Sequence, residues 1–495
     1  LRAERSNPEF PYHHHSGLPR RFAPRNDENG NCQNPENPLH IIIMTNTKQK
    51  VRTRFAPSPT GMLHIGNVRT ALIAWLFAQS NDGYFLLRID DTDTERSKPE
   101  YEAAIYESLT WLGMKWDEVA HQSKRLGRYN EVIEQLKQAG RLYACYETPE
   151  ELALKRKSQL SQGMPPIYDR AGLKLTAEQK AKFESEGRKP HWRFLMNDAP
   201  IEWNDLIRGA VHFEGKDMSD PVLIREDGNP LFNLCSVIDD ADFGITHIVR
   251  GEDHVSNTAA QTQMFEAMGA TMPTFAHLPL VSSAEGAKLS KREGALGVLE
   301  LRDDVGIEPM AIPSLLARLG SSDPIEAYDS FAPLIENFDI SKFGRGSPKM
   351  DPDEFLRLNS KILHGLDFER AKVRLAQIGL EEVTKEFWNI VRPNLETIKD
   401  IKEWWTVANG PVTPIVADDA FAAKAIEFMP PAPWDSTTWK SWTDAIKTAT
   451  GLKGKELFMP LRQALTGMDH GPELRDLLPL IGSEKAKARL LKQAA

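Results

Sequence analysis

Three cysteines in 495 residues, Cys32, Cys145 and Cys235, are too few and too scattered for a disulfide framework, and no CxxC pair is present. No apolar run approaches the roughly 20 residues that span a bilayer, which excludes a helical membrane protein. The GxxxxGK[ST] loop that cradles phosphates in many nucleotide-binding proteins is missing. Positive charge is not in excess. At a net charge of −9, contact with a polyanion has to come from a local basic face and not from the whole molecule. Internal repeats are absent too. Sparse thiols and the lack of a span suit a cytoplasmic protein.

What is present changes character along the chain. Residues 1–43 are crowded with Pro, Asn and Arg and follow neither a helical nor a strand period, so 1–46 is expected to be a disordered extension. His13 to His15 within it read as incidental, and Met44 marks the expected start of the natural chain. From Val51 the pattern is α/β: a strand at "VRTRFAP", a helix over 67–80, a turn at "NDG", and a strand "YFLLRID" over 84–90. Ser97-Lys-Pro-Glu100 reads as a capping box that opens a helix carrying Tyr101, Ile105, Leu109 and Leu112 on one face. Strand and helix alternating at this spacing predict a parallel sheet with a crevice at its C-terminal edge. Residues 141–236 break the rhythm and are expected to be an insert; the α/β pattern resumes over 237–300. From about 300 to the end the reading is all-α, expected as two packed bundles.

Two short stretches carry the chemistry. In "RFAPSPTGMLHIGNVRT", two prolines and Gly61 lead to His64 and Gly66 at a helix start. A helix N-terminus with its free N–H groups favours anions, and Gly66 permits close approach. The second stretch is "KLSKREG", with Lys288, Lys291 and Arg292 on a loop bracketed by Gly286 and Gly294. Mobile cations of this kind can follow charge onto a leaving pyrophosphate. Alone, the first is an ordinary strand–loop–helix link and the second an ordinary charged surface run. Their order on one α/β frame singles them out as a triphosphate site.

"HIGN" with "KLSKR" resembles the two signatures of class I aminoacyl-tRNA synthetases, and "RFAPSPTGMLHIGNVRTAL", "RIDDTD", "VIDDADFGITHIVRGEDH", "HLPLVSSAEGAKLSKREG", "LRLNSKIL" and "GLKGKELFMPLRQALTG" resemble the glutamyl branch. The resemblance runs from about residue 50 to the end. It implies a Rossmann-like catalytic domain in two halves (47–140 and 237–300) around an α+β, acceptor-end-binding insert (141–236). A stem-contact region (301–370) and an all-α anticodon-binding region (371–495) would follow. It implies a cytoplasmic, monomeric enzyme that uses ATP and Mg2+ to ligate L-glutamate to tRNA(Glu) through glutamyl-adenylate. His64, Gly66, Asn67, Lys288, Ser290 and Lys291 would carry catalysis. Arg54, Ala56, Ser58, Asp90, Phe232, Ser236 and Arg250 would bind glutamate, and Asp253 and Val281 would join His64, Gly66, Lys288 and Lys291 around ATP. Physical chemistry agrees on the arginines, since a carboxylate substrate needs planar bidentate partners that Lys cannot supply.

The chain departs from the branch at three positions. Some relatives bind zinc in the insert through a CxC pair; here Glu147 stands where the second thiol would be, so no zinc is expected. Asp90 replaces a common Glu, which shortens its reach by a methylene, and Phe232 replaces a common Tyr, so the phenolic donor that the resemblance implies for the substrate is not supplied at this position. The last two changes suggest a second-copy enzyme, so charging of tRNA(Gln) stays open. A non-catalytic tRNA-binding paralogue is the alternative from another class, although His64 and Lys291 are both kept. Glutaminyl-tRNA synthetase is disfavoured because its anticodon region is a β-barrel and 351–495 reads helical.

Overall fold

The computed structural model describes residues 50–283 and 297–495. Strands β1 (Arg52–Phe55), β2 (Tyr84–Ile89) and β3 (Glu118–His121) form a parallel sheet in that order, with Arg54 opposite Leu86. β2 is buried from Phe85 to Ile89, as expected of a parallel strand covered on both faces. Helix α1 (Ile65–Gln79) crosses from β1 to β2 with ten buried residues, Val68, Leu72 and Leu76 among them, so it is a core helix and not a surface one. Helix α2 (Pro99–Trp111) crosses from β2 to β3.

The Ser97 capping box does not form. Pro99 occupies the first helical position and forces the preceding residue into the extended region, so Lys98 (φ −130°, ψ 140°) becomes the N-cap. The Ser97 hydroxyl is left buried without a hydrogen-bond partner.

After β3 and helix α3 (Leu126–Gln138) comes the insert. Strand β4 (Leu142–Cys145), helices α4 (Pro149–Ser161) and α5 (Ala177–Ser185), and strand β5 (His191–Phe194) lead to the hairpin β6 (Pro200–Asp205) and β7 (Gly209–Glu214), then β8 (Val222–Ile224). β4, β5 and β8 pair antiparallel. On β6, Ile201, Trp203 and Asp205 are buried and their neighbours exposed, the period of a half-covered strand. The insert is continuous with the sheet: Leu206 N–H donates to Phe275 O at 2.9 Å, and Phe194, Trp203, Leu234 and Phe275 share one apolar cluster. Helix α6 (Phe232–Asp242) runs across the 236/237 boundary expected from the sequence.

Strand β9 (His247–Gly251), helix α7 (Val255–Ala267) and strand β10 (Thr274–Leu278) complete the α/β part, β9 and β10 pairing parallel. Thr246 N–H donates to Arg52 O at 3.0 Å and sets β9 beside β1. The C-terminal ends of β1, β9 and β10 therefore come together where α1 begins.

The helical remainder does not divide into two bundles. Helices Ala311–Leu316 and Asp353–Gly365 pack into the same core as α1, through Leu315, Leu316, Phe355 and Leu358. Residues from Leu363 to Leu490 form one further core around Trp388, Trp404, Trp442 and Leu461. None of the described helices is long and apolar enough to cross a membrane.

Candidate active site

His64 is the N-cap of α1. Its extended backbone (φ −108°, ψ 166°) turns the chain into the helix, and its Nδ1 accepts the Gly66 N–H at 3.1 Å. Asn67 Oδ1 lies 3.5 Å from His64 N and closes a reciprocal cap. A Cβ on Gly66 would lie 3.1 Å from the His64 ring, so the glycine is what lets the imidazole sit against the first turn. Gly297, just beyond the 284–296 segment, forms an isolated β-bridge with His64.

This helix start opens on a cleft of about 570 Å³. Arg54, Ala56, Ser58, His64, Gly66, Asn67, Phe232, Arg250, Asp253 and Val281 all line it, so most of the residues picked from the sequence converge. Lys288, Ser290 and Lys291 lie outside the described residues. Ser236 is buried beneath the cleft, where its Oγ accepts from Arg88 Nη2 at 3.0 Å. Asp90 lines an adjoining cleft of about 420 Å³, and Ser58 and Phe232 stand on the divide between the two.

The two arginines differ. Arg54 is paired in place: its Nε and Nη2 donate to Asp240 at 3.0 and 3.3 Å. Arg250, on β9, is buried and has neutral partners. Its Nη2 donates to Thr258 Oγ1 and Gln261 Oε1, both at 2.6 Å, and its Nε donates to His277 Nε2 at 3.3 Å. Its Nη1 is buried with no partner. Burial pulls the Arg250 guanidinium down to about 9, with nearby Arg54 adding to the effect, so it remains a cation at neutral pH. A buried cation without a carboxylate at hydrogen-bond distance is costly unless a ligand supplies one. Burial and the Arg250 charge hold the neighbouring His254 down to about 4, so that imidazole is neutral.

Below the floor lies a buried ionic network. Arg88 donates to both oxygens of Asp90 (2.7 and 3.1 Å) and to Asp240 (2.8 Å). Asp239 receives Gln122, Arg125 and Tyr129 at 2.7 to 3.0 Å. Burial pushes the Asp90 carboxyl up to about 6, against the pull of Arg88.

Residues 50–342 match the family model of class I tRNA synthetases (E and Q), catalytic domain, and residues 369–494 match an anticodon binding domain. The glutamate–tRNA ligase of Azospirillum brasilense is 56% identical over 445 residues, 90% of this chain and all of that one. Glutamate–tRNA ligase 2 of a Methylobacterium species is 53% identical, over 89% of this chain and 99% of its own. The chain belongs to the glutamate–tRNA ligase family of class I aminoacyl-tRNA synthetases. The crystal structure of a glutamate tRNA ligase from Elizabethkingia meningosepticum in complex with its amino acid superposes with a TM-score of 0.79 at 30% identity, covering 90% of this synthetase and 99% of that chain.

The insert of this synthetase holds a second polar cluster. Cys145, Glu147 and His191 bring one ligand atom each within 4.8 Å of one another, and Glu147 Oε2 and His191 Nε2 are buried without partners. That much suits a metal. Against it, Lys155 Nζ (3.2 Å) and the Tyr168 hydroxyl (2.9 Å) already donate to Glu147 Oε1, and burial pushes the Cys145 thiol up to about 11. The Lys155 ammonium on Glu147 would have to give way before that carboxylate could hold a cation.

Reading the sequence did not single out Asp240, Thr258, Gln261 or His277. Thr258 and Gln261 were discoverable as an i, i+3 polar pair on the helix that follows Arg250. Asp240 and His277 are brought to the arginines by tertiary packing, which local pattern does not encode.

Proposed function

We propose that this chain ligates L-glutamate to tRNA(Glu) in two steps at the 570 Å³ cleft. The α-carboxylate of glutamate attacks the α-phosphorus of ATP, giving glutamyl-adenylate and pyrophosphate; a ribose hydroxyl of the tRNA terminal adenosine then takes the acyl group and AMP leaves. The observation that carries the glutamate assignment is Arg250: it lines the cleft, is buried and cationic, is bonded to neutral groups, and keeps Nη1 without a hydrogen-bond partner. Asp90, on the adjoining cleft, would face the substrate ammonium. Arg54, neutralised by Asp240, would supply its remaining donor capacity to the substrate.

ATP phosphates would lie at the α1 N-terminus, where free N–H groups and the helix dipole favour anions. Both ends of the segment bearing Lys288, Ser290 and Lys291 are tied to this place, since Val281 lines the cleft and Gly297 bridges to His64. Asp253 is the one carboxylate lining the cleft among the described residues, so Mg2+ would be held mainly by the phosphates and water, with Asp253 as the available protein ligand. The insert cluster is read as metal-free; metal analysis of the purified protein should find far less than one zinc per chain.

Arg250→Lys tests the glutamate assignment. A hydrogen bond to a charged group contributes about 1.5–3 kcal/mol, so losing the fork should raise the glutamate KM about 10- to 100-fold and leave the ATP KM unchanged. An unchanged glutamate KM removes Arg250 from the substrate site. Charging tRNA(Glu) and tRNA(Gln) transcripts side by side tests the tRNA assignment, with preference for tRNA(Gln) overturning it.

A further inference from the structure

Behind Arg250 runs a line of buried polar groups that the ligation itself does not use. His277, on β10, is fully buried. Its Nε2 accepts from Arg250 Nε at 3.3 Å and lies 2.9 Å from Thr258 Oγ1, while its Nδ1 lies 2.5 Å from Asp205 Oδ2. Asp205, at the end of β6, engages its other oxygen with the backbone N–H groups of Ile207 (3.0 Å), Arg208 (2.9 Å) and His277 (3.1 Å). The insert hairpin thus reaches through one imidazole to the substrate arginine.

The proton count on this line is constrained. A neutral imidazole carries its proton on one nitrogen and a lone pair on the other, and the bond made at one decides the role of the other. Burial lowers the His277 pKa, with the Arg250 charge adding to it, against the bonded Asp205 carboxylate, which raises it; the net direction is down and favours the neutral ring. Asp205 is acceptor-only, so the proton belongs on Nδ1, which leaves Nε2 as the lone pair that Arg250 Nε–H requires. The spacing also matters electrostatically. An aspartate in direct contact would pair the guanidinium, as Asp240 pairs Arg54; here the imidazole stands between Arg250 and Asp205, and the carboxylates whose charge acts on Arg250, Asp240 and Asp253, make no hydrogen bond to it.

We propose that Asp205 and His277 are positioning residues for glutamate recognition: Asp205 fixes the His277 tautomer, and the Nε2 lone pair orients Arg250 so that Nη1 is left for the substrate carboxylate. This rests on the reading of Arg250 as the carboxylate-binding group.

Asp205→Asn in the full-length enzyme is the test. The amide oxygen can keep the three backbone N–H bonds, while the amide nitrogen donates to Nδ1 and moves the proton to Nε2, setting N–H against N–H at Arg250. Nitrogen-15 NMR of histidine-labelled protein, with the His277 signal assigned by its loss in His277→Gln, should show Nδ1 protonated in the wild type and Nε2 protonated in the variant. The glutamate KM should rise at least tenfold, with the ATP KM within twofold of wild type. A wild-type His277 protonated on Nε2 overturns the proposal, and so does a moved proton with an unchanged glutamate KM. Should Asp205→Asn not fold, His277→Gln retains an acceptor for Arg250 and His277→Leu does not. A tenfold higher glutamate KM in the leucine variant supports the proposal, and equal values overturn it. If Arg250→Lys leaves the glutamate KM unchanged, the carboxylate reading itself falls. A raised KM in Arg250→Lys beside an unchanged one in Asp205→Asn overturns the positioning role alone.

Discussion

Phe232 stands 36% exposed where the two clefts meet, with its ring 5.4 Å from the His254 imidazole. A phenylalanine that merely filled the core would be covered, so the ring belongs to the cleft wall, and a hydroxyl added there meets solvent or substrate. Phe232→Tyr should therefore lower the glutamate KM, by about tenfold for a gain of 1.4 kcal/mol, and leave the melting temperature unchanged. An unchanged KM would mean that the ring edge points away from the substrate. His254 allows a separate pH prediction. Its folded pKa of about 4 lies below the unfolded 6.5, so the folded state favours the neutral ring. Its contribution to stability is complete above pH 6.5 and is lost progressively as pH falls toward 4. Asp90, raised from 3.8 to about 6, works in the opposite direction over much of the same range. The isolated effect is therefore read by difference: the melting temperature of His254→Asn should fall less steeply than that of wild type between pH 6.5 and 4.5. Residues such as Arg54 and Arg250 were legible in the sequence because their motif is contiguous. Asp240, which neutralises one of them from 186 positions away, was not.

At the scale of elements, the α1 N-terminus brings His64, Gly66 and Asn67 together on the cleft. Gly66 sits within the helix with no strained dihedral, so alanine there should gain helix propensity, about 1 kcal/mol. The same methyl would crowd the His64 ring at 3.1 Å. Gly66→Ala should thus keep or raise the melting temperature while kcat falls tenfold or more; loss of both together would mean that the glycine serves the fold. The helix expected over 67–80 forms at Ile65–Gln79 and the strand expected over 84–90 at Tyr84–Ile89, and local signals failed where proline intervened. Pro99 moved the α2 cap from Ser97 to Lys98. Helix Leu474–Ile481 was not read from the sequence although Leu474, Leu477, Leu478 and Ile481 keep the helical period, because Pro479 interrupts it. Helix Lys455–Thr466 runs through Pro460. In the last two cases tertiary burial of an apolar stripe outweighs a local breaker.

Across the whole molecule, the fade of strand pattern near residue 300 does not coincide with a change of core. Leu315, Phe355 and Leu358 still pack with α1, and the second core begins at Leu363 near the end of helix Asp353–Gly365. Composition registers secondary structure; it does not register which core a helix joins, and so the expectation of two bundles failed. Polar ties cross between the two cores: Arg374 to Glu308 at 3.4 Å, and Lys399 Nζ to the carbonyls of Asp303 and Asp304, shortly after the 284–296 segment. The second core carries an exposed Phe458 with its ring 6.1 Å from Trp439, beside Lys453 and Lys455 in the chain. Aromatic faces flanked by cations suit unpaired RNA bases, at about 1–3 kcal/mol per stacked base. A chain ending at Leu366 keeps helix Asp353–Gly365 for the first core and removes the second. It should bind cognate tRNA with a KM raised about tenfold or more, and its preference for tRNA(Glu) over unrelated tRNAs should collapse, while circular dichroism still reports a folded α/β part. Phe458→Ala in the full chain should show a smaller loss of the same kind, about five- to hundredfold in tRNA KM, with the glutamate KM at saturating tRNA unaffected. If both keep wild-type selectivity, the second core supports the fold and the tRNA is read elsewhere.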